Sequence, residues 1–508
     1  MTWSWPPFRH RPVLVGAAAA GLLLLVAAPL FFLRGVGTFD DSVLLKFGEM
    51  LLDGAAPYRD FVDNKPPGNY LLAAALLWLG DGSFWVTPRL FLYGTAVAFV
   101  LIVGGHVRRH FGATAAMYAM PLAAAGHVMT QGYSLHTETP AAFFGLLATA
   151  LLASGTGRRT LIGAGALYGL AMLFKQTSVM FLAGALVWLL ALRSTTALSG
   201  RLRQAGLVLL GYGAVGALTL LAAAAAGILQ PMLAGTLGGA VTVIERTPWA
   251  PRHTLRLLFM VPAIPLMAMV LLLRRGRGVE APSAERRPTD RNGPLGLWSA
   301  VLAATLLPAL RVDNATGHYI ALPVAAASIV CAVLLARRHA SRSAASRLAR
   351  AAWVGALVLW GAAFLYGGAR MIGDGRLPRD LQATREMRAA LATVADPAEP
   401  VYAFAVGTSP RLYLMSGRPP AVPYLHHGLN LRGRFDLHSA ARYLVEVRPR
   451  LVITELPDGP MTDFGVDAIL GPRLEALAPY YDVVWEAATL SPVTGRRERM
   501  LVRRAPGG

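Results

Sequence analysis

The chain has 508 residues, of which 55% are hydrophobic and only 15% charged, and its mean hydropathy is +0.48. A water-soluble protein could not cover its surface with so few charges, so lipid is expected to be the main solvent. The net charge of +20 does not mark a nucleic-acid binder, because the basic residues sit in short clusters between apolar runs, the pattern of cytoplasmic loops. The one cysteine, Cys331, excludes an intrachain disulfide and a thiolate metal site.

Arg9 and Arg11 precede an apolar stretch from Val13 to Leu33. It is too long for the apolar core of a signal peptide and lacks a small-residue cleavage site, so it reads as a retained first span. Further apolar segments follow near residues 89–107, 113–128, 137–154, 160–174, 177–192, 205–229, 255–273, 295–310, 318–336 and 351–369. At roughly twenty residues per crossing, the chain has about eleven spans. The short segments 113–128 and 295–310 could instead be re-entrant, and Tyr70–Leu79 reads as an interfacial helix.

Alternate connections carry the arginines: Arg108 and Arg109, Arg158 and Arg159, Arg193 with Arg201 and Arg203, Arg274 to Arg291, and Arg337 to Arg350. These loops are expected in the cytoplasm, together with the N-terminus. The opposite loops then face outward. The largest, residues 34–88, holds Asp40, Asp41, Glu49, Asp53, Asp60, Asp63 and Asp81. An odd number of spans places the tail outside as well. Residues 371–508 have ordinary charge density and short β-rich runs, Val401–Val406 and Leu451–Leu456, separated by helix-like segments around 379–394, 437–447 and 471–480. The expected architecture is therefore a polytopic α-helical membrane domain over residues 1–370 and a small extracytoplasmic α/β domain over 371–508.

The tail has no glycine-rich phosphate loop, metal-ligand spacing or nucleophile elbow, so the chemistry is sought in the outer loops. In the first of them, Leu44, Leu45, Phe47, Met50 and Leu51 recur near a helical period with Lys46, Glu49 and Asp53 between them, which predicts a helix lying on the membrane surface. Asp40 and Asp41 open that helix. One reading makes Asp40 its N-cap and Asp41 a favourable charge at its positive end. The other makes one carboxylate a base for an acceptor hydroxyl, while its neighbour orients an acceptor or a metal.

The first span, the acidic pair, the amphipathic segment, the run Pro57-Tyr58-Arg59-Asp60-Phe61 and the run Asn64-Lys65-Pro66-Pro67-Gly68 together resemble the GT-C superfamily of glycosyltransferases. The closer similarity is to bacterial relatives of the protein O-mannosyltransferases and of the aminoarabinose transferases that modify lipid A. It covers approximately residues 10–370. The resemblance implies a polyprenyl-phosphate sugar donor and makes Asp40 the catalytic base, with Asp41 at a position more usually filled by Glu. It gives Lys65 the donor phosphate, where the bland alternative is a snorkelling lysine, and it places Tyr58 at the substrate.

Leu135-His136-Thr137-Glu138-Thr139-Pro140 resembles the Thr-Glu entry to a span in this superfamily, so His136 and Glu138 are candidate substrate residues. Glu138 could equally just start a helix that has Pro140 in its first turn. Lys175 and Gln176 interrupt an apolar run, and Lys175 either binds phosphate or marks a helix end. Arg311 to Tyr319 resembles a His-Tyr entry to a late span, with Arg311 a candidate for the phosphate and His318 and Tyr319 for the substrate. Glu245, Arg246, Arg252 and His253 form a further outer loop with a candidate gating role.

The resulting reading is an inverting transfer at the outer face of the plasma membrane, from a polyprenyl-phosphate sugar to a hydroxyl of a glycolipid, glycan or protein. No nucleotide is required; a divalent metal stays open as a cofactor, since some superfamily members use one and others do not, and two adjacent aspartates do not settle it. A lipid-linked glycan polymerase or ligase would place its key polar residues in a large late loop. A transporter or flippase would show mid-span charges or paired broken helices in similar halves, and the sequence has no such repeat.

Overall fold

The computed structural model describes residues 11–34, 39–193, 196–246, 261, 263–275, 293–308, 317–339, 344–404, 409–422, 443, 446–456, 480–487 and 497–503. Helices come first: α1 (Arg11–Phe32), α2 (Phe39–Leu52), α3 (Gly68–Leu79), α4 (Val86–Phe111), α5 (Ala113–Met129), α6 (Glu138–Ser154), α7 (Arg158–Met172), α8 (Val179–Val187), α9 (Leu198–Ala225), α10 (Leu229–Arg246), α11 (Ala263–Arg275), α12 (Pro294–Leu306), α13 (Val324–His339), α14 (Ala344–Asp374) and α15 (Arg376–Val394). The tail adds β1 (Tyr402–Phe404), α16 (Ser409–Ser416), β2 (Leu451–Leu456), β3 (Tyr481–Glu486) and β4 (Arg497–Arg503). Among the described residues, α1, α4, α9 and a stretch within Ser346–Val394 are long and apolar enough to cross a bilayer. Glu138–Ser154, Gln176–Leu192 and Pro294–Leu306 are shorter apolar helices where spans were expected.

The chain divides into two compact units, one comprising Met1–Phe31, Arg89–Ala222 and Ile244–Ala369 and the other Phe32–Pro88, Ala223–Val243 and Arg370–Gly508. In the first unit, α6 packs on α7, α5 and α11 on α13, and α8 and α13 on α12. Small residues allow the backbones to meet. A Cβ at Gly165 of α7 would overlap the Val208 carbonyl of α9, and one at Gly211 of α9 would overlap the Ile162 carbonyl of α7. Such reciprocal glycines bring membrane helices together where apolar burial alone gives no preference for protein over lipid. Leu22, Leu25, Leu101, Leu218, Leu221 and Leu359 of α1, α4, α9 and α14 are exposed, as side chains facing lipid are. Polar links join helices inside this unit: Trp298 Nε1 donates to His106 Nε2 at 2.9 Å, and Thr149 Oγ1 lies 3.0 Å from Tyr168 Oη.

In the second unit, α2 packs on α3 and on α16, and α16 packs on α15, β1 and β2. The sheet has the order β1-β2-β4-β3, with β1 parallel to β2 and the remaining pairs antiparallel. Leu451 to Thr454 of β2 are buried, as suits the apolar run of an inner strand. The charged ends of β3 and β4 hid these two strands from a reading based on apolar runs. The expected tail segment at 471–479 lies outside the described residues, as does most of 437–447.

Two expectations are corrected. The predicted surface helix exists as α2, but every residue from Asp41 to Met50 except Glu49 is buried, and Lys46 is only 2% exposed. Its polar residues are met by protein: Lys46 Nζ donates to Glu49 Oε2 at 2.6 Å, and Gly48 lets the Ala73–Ala74 backbone of α3 press against α2. The seventh span was expected to run to residue 229. It stops at Ala225, because Gly227 takes a φ of 68° and turns the chain into α10.

Gly211→Leu is expected to force α9 off the α7 carbonyl and cost about 1–3 kcal/mol. A lowered thermal unfolding midpoint of the detergent-purified protein checks this; an unchanged midpoint contradicts the close crossing.

Candidate active site

Two polar groups stand out, one in each unit. In the second unit, α2 begins at Phe39, so Asp40 lies within the first turn and is not the residue that caps it. Both carboxylates therefore sit at the helix's positive end, but their surroundings differ. Asp41 Oδ2 is 3.9 Å from Arg34 Nη1 and its side chain is 11% exposed, whereas Asp40 is 25% exposed and its Oδ1 is 4.0 Å from Lys65 Nζ. Asp40 is the more accessible carboxylate.

The Lys65 backbone is held by two buried phenols. Tyr58 Oη donates to the Lys65 carbonyl at 2.7 Å, and Tyr70 Oη lies 3.0 Å from that carbonyl and 3.1 Å from Asp63 Oδ2. Burial and the neighbouring Asp63 raise the Tyr58 phenol above its ordinary value, so it stays protonated and remains a donor. Asp63, 2% exposed, accepts from the Asn64 amide at 2.7 Å and lies 3.3 Å from Lys65 Nζ. Rings complete the support: Phe47 of α2 stacks on Phe61 at 4.2 Å, and Tyr70 meets both edge-on. Tyr58 adopts a φ of 65°, an uncommon conformation for a bulky residue and one that packing must maintain. Behind the loop, Gly235 of α10 approaches the Asp63 carbonyl so closely that a side chain there would collide with it.

The second group belongs to the first unit. Glu138 opens α6 and is 2% exposed; its Oε1 is 2.8 Å from Lys175 Nζ, and Oε2 accepts from Thr137 Oγ1 at 2.8 Å. Lys175, just before a short 3-10 turn at Gln176–Ser178, also lies 5.4 Å from the centre of the Tyr319 ring. His136 and His318 stack at 4.0 Å, and His318 Nδ1 is 3.3 Å from Gln131 Oε1. Gln131 is held at a φ of 61°, while Gly132 leaves room for the His127 ring. Both of the plain readings hold in part, since Glu138 starts a helix and Lys175 ends a helical segment, yet each is also the other's ion partner.

Of the residues expected from the sequence, Asp40, Asp41, Tyr58 and Lys65 lie in the second unit and His136, Glu138, Lys175, His318 and Tyr319 in the first. Arg311, Arg252 and His253 lie outside the described residues, as do the side chains of Glu245 and Arg246. Arg34, Asp63, Tyr70 and Gln131 had been given no role. Arg34 carried a signal, a cation on the side that positive-inside bias depletes, whereas burial of Asp63 among rings leaves no mark in spacing.

Residues 64–212 match the family described as dolichyl-phosphate-mannose-protein mannosyltransferase. The fold is shared with solved membrane proteins, and among the described residues several helices are long and apolar enough to cross a bilayer, as in a multi-pass membrane protein. The fold is similar to that of ArnT from Cupriavidus metallidurans, solved bound to undecaprenyl phosphate, at 15% identity and a TM-score of 0.62 over 96% of this chain and 98% of that one. It is also similar to the archaeal oligosaccharyltransferase AglB from Archaeoglobus fulgidus, in complex with an inhibitory peptide and a dolichol-phosphate, at 12% identity and a TM-score of 0.54 over 92% of this chain and 72% of that one. No curated protein matches the chain by sequence.

Lys175→Met leaves the Glu138 carboxylate buried without its ammonium and is expected to cost about 3–5 kcal/mol, whereas adding Glu138→Gln recovers part of the loss. Thermal unfolding of both variants checks this; a double variant no more stable than the single contradicts the pairing of a buried carboxylate with Lys175.

Proposed function

We propose that the protein is an inverting glycosyltransferase that moves a sugar from a polyprenyl-phosphate donor to an acceptor hydroxyl at the outer face of the plasma membrane. The observation that carries the reading is Lys65 Nζ at 4.0 Å from Asp40 Oδ1, at the exposed head of a buried helix. A base and a cation side by side suit a reaction that takes a proton at one atom and releases an anion at another. The lipid phosphates bound by the ArnT and AglB structures support the donor class.

In this mechanism the Asp40 carboxylate accepts the proton of the acceptor hydroxyl. The hydroxyl oxygen forms a bond to the anomeric carbon as the bond from that carbon to the phosphate oxygen breaks. The electron pair leaves with polyprenyl phosphate, whose charge Lys65 stabilises. Asp41, held by Arg34, orients the first turn of α2, and Tyr58 keeps the Lys65 backbone in place. Lys175 and Arg311 are assigned to phosphate, and His136, Glu138, His318 and Tyr319 to the substrate. About eleven spans would make residues 1–370 the membrane domain, with the N-terminus in the cytoplasm and 371–508 as an extracytoplasmic α/β domain. The acceptor is a hydroxyl on a glycolipid, a glycan or a protein.

The test is transfer from a panel of polyprenyl-phosphate sugars by purified protein. Asp40→Asn is expected to lower kcat by about a hundredfold or more, and Lys65→Met to lower kcat more than it raises the donor KM. Undiminished transfer by Asp40→Asn contradicts its role as base, and a wild type inactive on every donor contradicts the donor class.

A further inference from the structure

We infer that α15 and α16 of the tail form a brace that positions the helix carrying Asp40, so that Asp380, Arg411 and Arg388 are positioning residues for the transfer reaction. The catalytic part of this inference rests on Asp40 being the base.

The argument starts from α16. Pro410 to Ser416 are all buried, including Arg411, so this helix has no face left for solvent. A helix covered on every side is an internal strut, not a surface element. One side of α16 packs on α2, which is itself buried from Asp41 to Lys46, and other sides meet α15, β1 and β2. Any displacement of α16 is therefore passed to α2, whose first turn holds Asp40 and Asp41.

What holds α16 in turn is α15. Arg411 Nη2 is 2.6 Å from Asp380 Oδ1, and both side chains are buried. Arg388 Nε donates to the Met415 carbonyl at 2.9 Å and Nη2 to the Leu414 carbonyl at 3.3 Å, capping the end of α16. The same guanidinium lies 5.5 Å from the centre of the Phe84 ring in the first outer loop. Arg418 Nη2 donates to the Leu391 and Ala395 carbonyls at 3.3 and 3.2 Å, closing the far end of α15 onto the turn after α16. Helix C-termini leave carbonyls unpaired and carry partial negative charge, so arginines at those carbonyls act as fasteners. The tail is thus tied to the first loop through α2 and through Phe84, separately.

Burial makes the Asp380–Arg411 pair informative. Removing one partner strands a buried charge, whereas replacing both with apolar residues does not. The full-length protein is compared as wild type, Arg411→Leu, the double variant Asp380→Leu with Arg411→Leu, and the milder Arg388→Gln. The first readout is hydrogen–deuterium exchange. Amides of Val43 to Met50 in α2 should exchange roughly tenfold faster in Arg411→Leu and measurably faster in Arg388→Gln, while α13 is unchanged and the double variant returns towards wild type. The second readout is transfer kinetics: kcat should fall by about tenfold in Arg411→Leu with the donor KM within twofold, and recover in the double variant.

Exchange in α2 that is unaltered in Arg388→Gln and in Arg411→Leu overturns the brace. Faster exchange with an unaltered kcat overturns its positioning role. Should Arg411→Leu fail to fold, Arg388→Gln decides both points. If the wild type is inactive on every donor, the glycosyltransferase reading fails on its own, and exchange still decides whether the brace exists.

Discussion

The approach of Lys65 to Asp40 is the feature around which the second unit is arranged, and its energetics explain why so much else surrounds it. Two unit charges at 4 Å gain about 1 kcal/mol in water and about 4 kcal/mol in a partly screened protein site. That attraction is too weak to order the loop between Pro57 and Pro67, because fixing each backbone residue costs about 1–2 kcal/mol. Uncharged groups do the ordering instead: two tyrosine hydroxyls at the Lys65 carbonyl, the Phe47–Phe61 stack and the fixed φ of Pro66 and Pro67. The ion pair is placed by its surroundings, and Lys65 lies closer still to Asp63, at 3.3 Å.

The same logic sets the two carboxylates apart. Asp41 faces Arg34 and is largely covered, so its charge serves the structure of the first turn. Asp40 is more open and faces a lysine anchored on a separate loop. A shared helix end thus yields one structural and one accessible acid, a difference made by neighbours and not by the two side chains themselves. In the first unit the corresponding case is the Glu138–Lys175 pair, in which the buried Glu138 charge is met by a part-exposed lysine.

Much of this was legible because membrane sequences are written in long words. Apolar runs bounded by arginines located most helices, since a helix in lipid must satisfy its backbone internally and needs about twenty residues to cross. The acidic pair was legible through the density of polar and turn-forming residues between positions 34 and 88, whereas Lys65 and Tyr58 were singled out by the family resemblance of the runs that hold them. What the pattern could not convey was burial by distant segments. Leu44, Phe47 and Met50 fit a helix on a lipid surface as well as one enclosed by protein, and only the fold reveals that α3 and α16 enclose α2. Asp63 and Tyr70 were missed for that reason, and β3 and β4 because the charges towards their ends leave only short apolar runs.

The proposed transfer is a single displacement at an anomeric carbon. The direct measurement is the anomeric configuration of the transferred sugar, read by nuclear magnetic resonance after turnover of a donor of known configuration. Inversion, with one polyprenyl phosphate released per sugar transferred, is the result expected of Asp40 acting as base. Retention of configuration would contradict it, because that outcome requires a covalent intermediate or a different order of bond breaking.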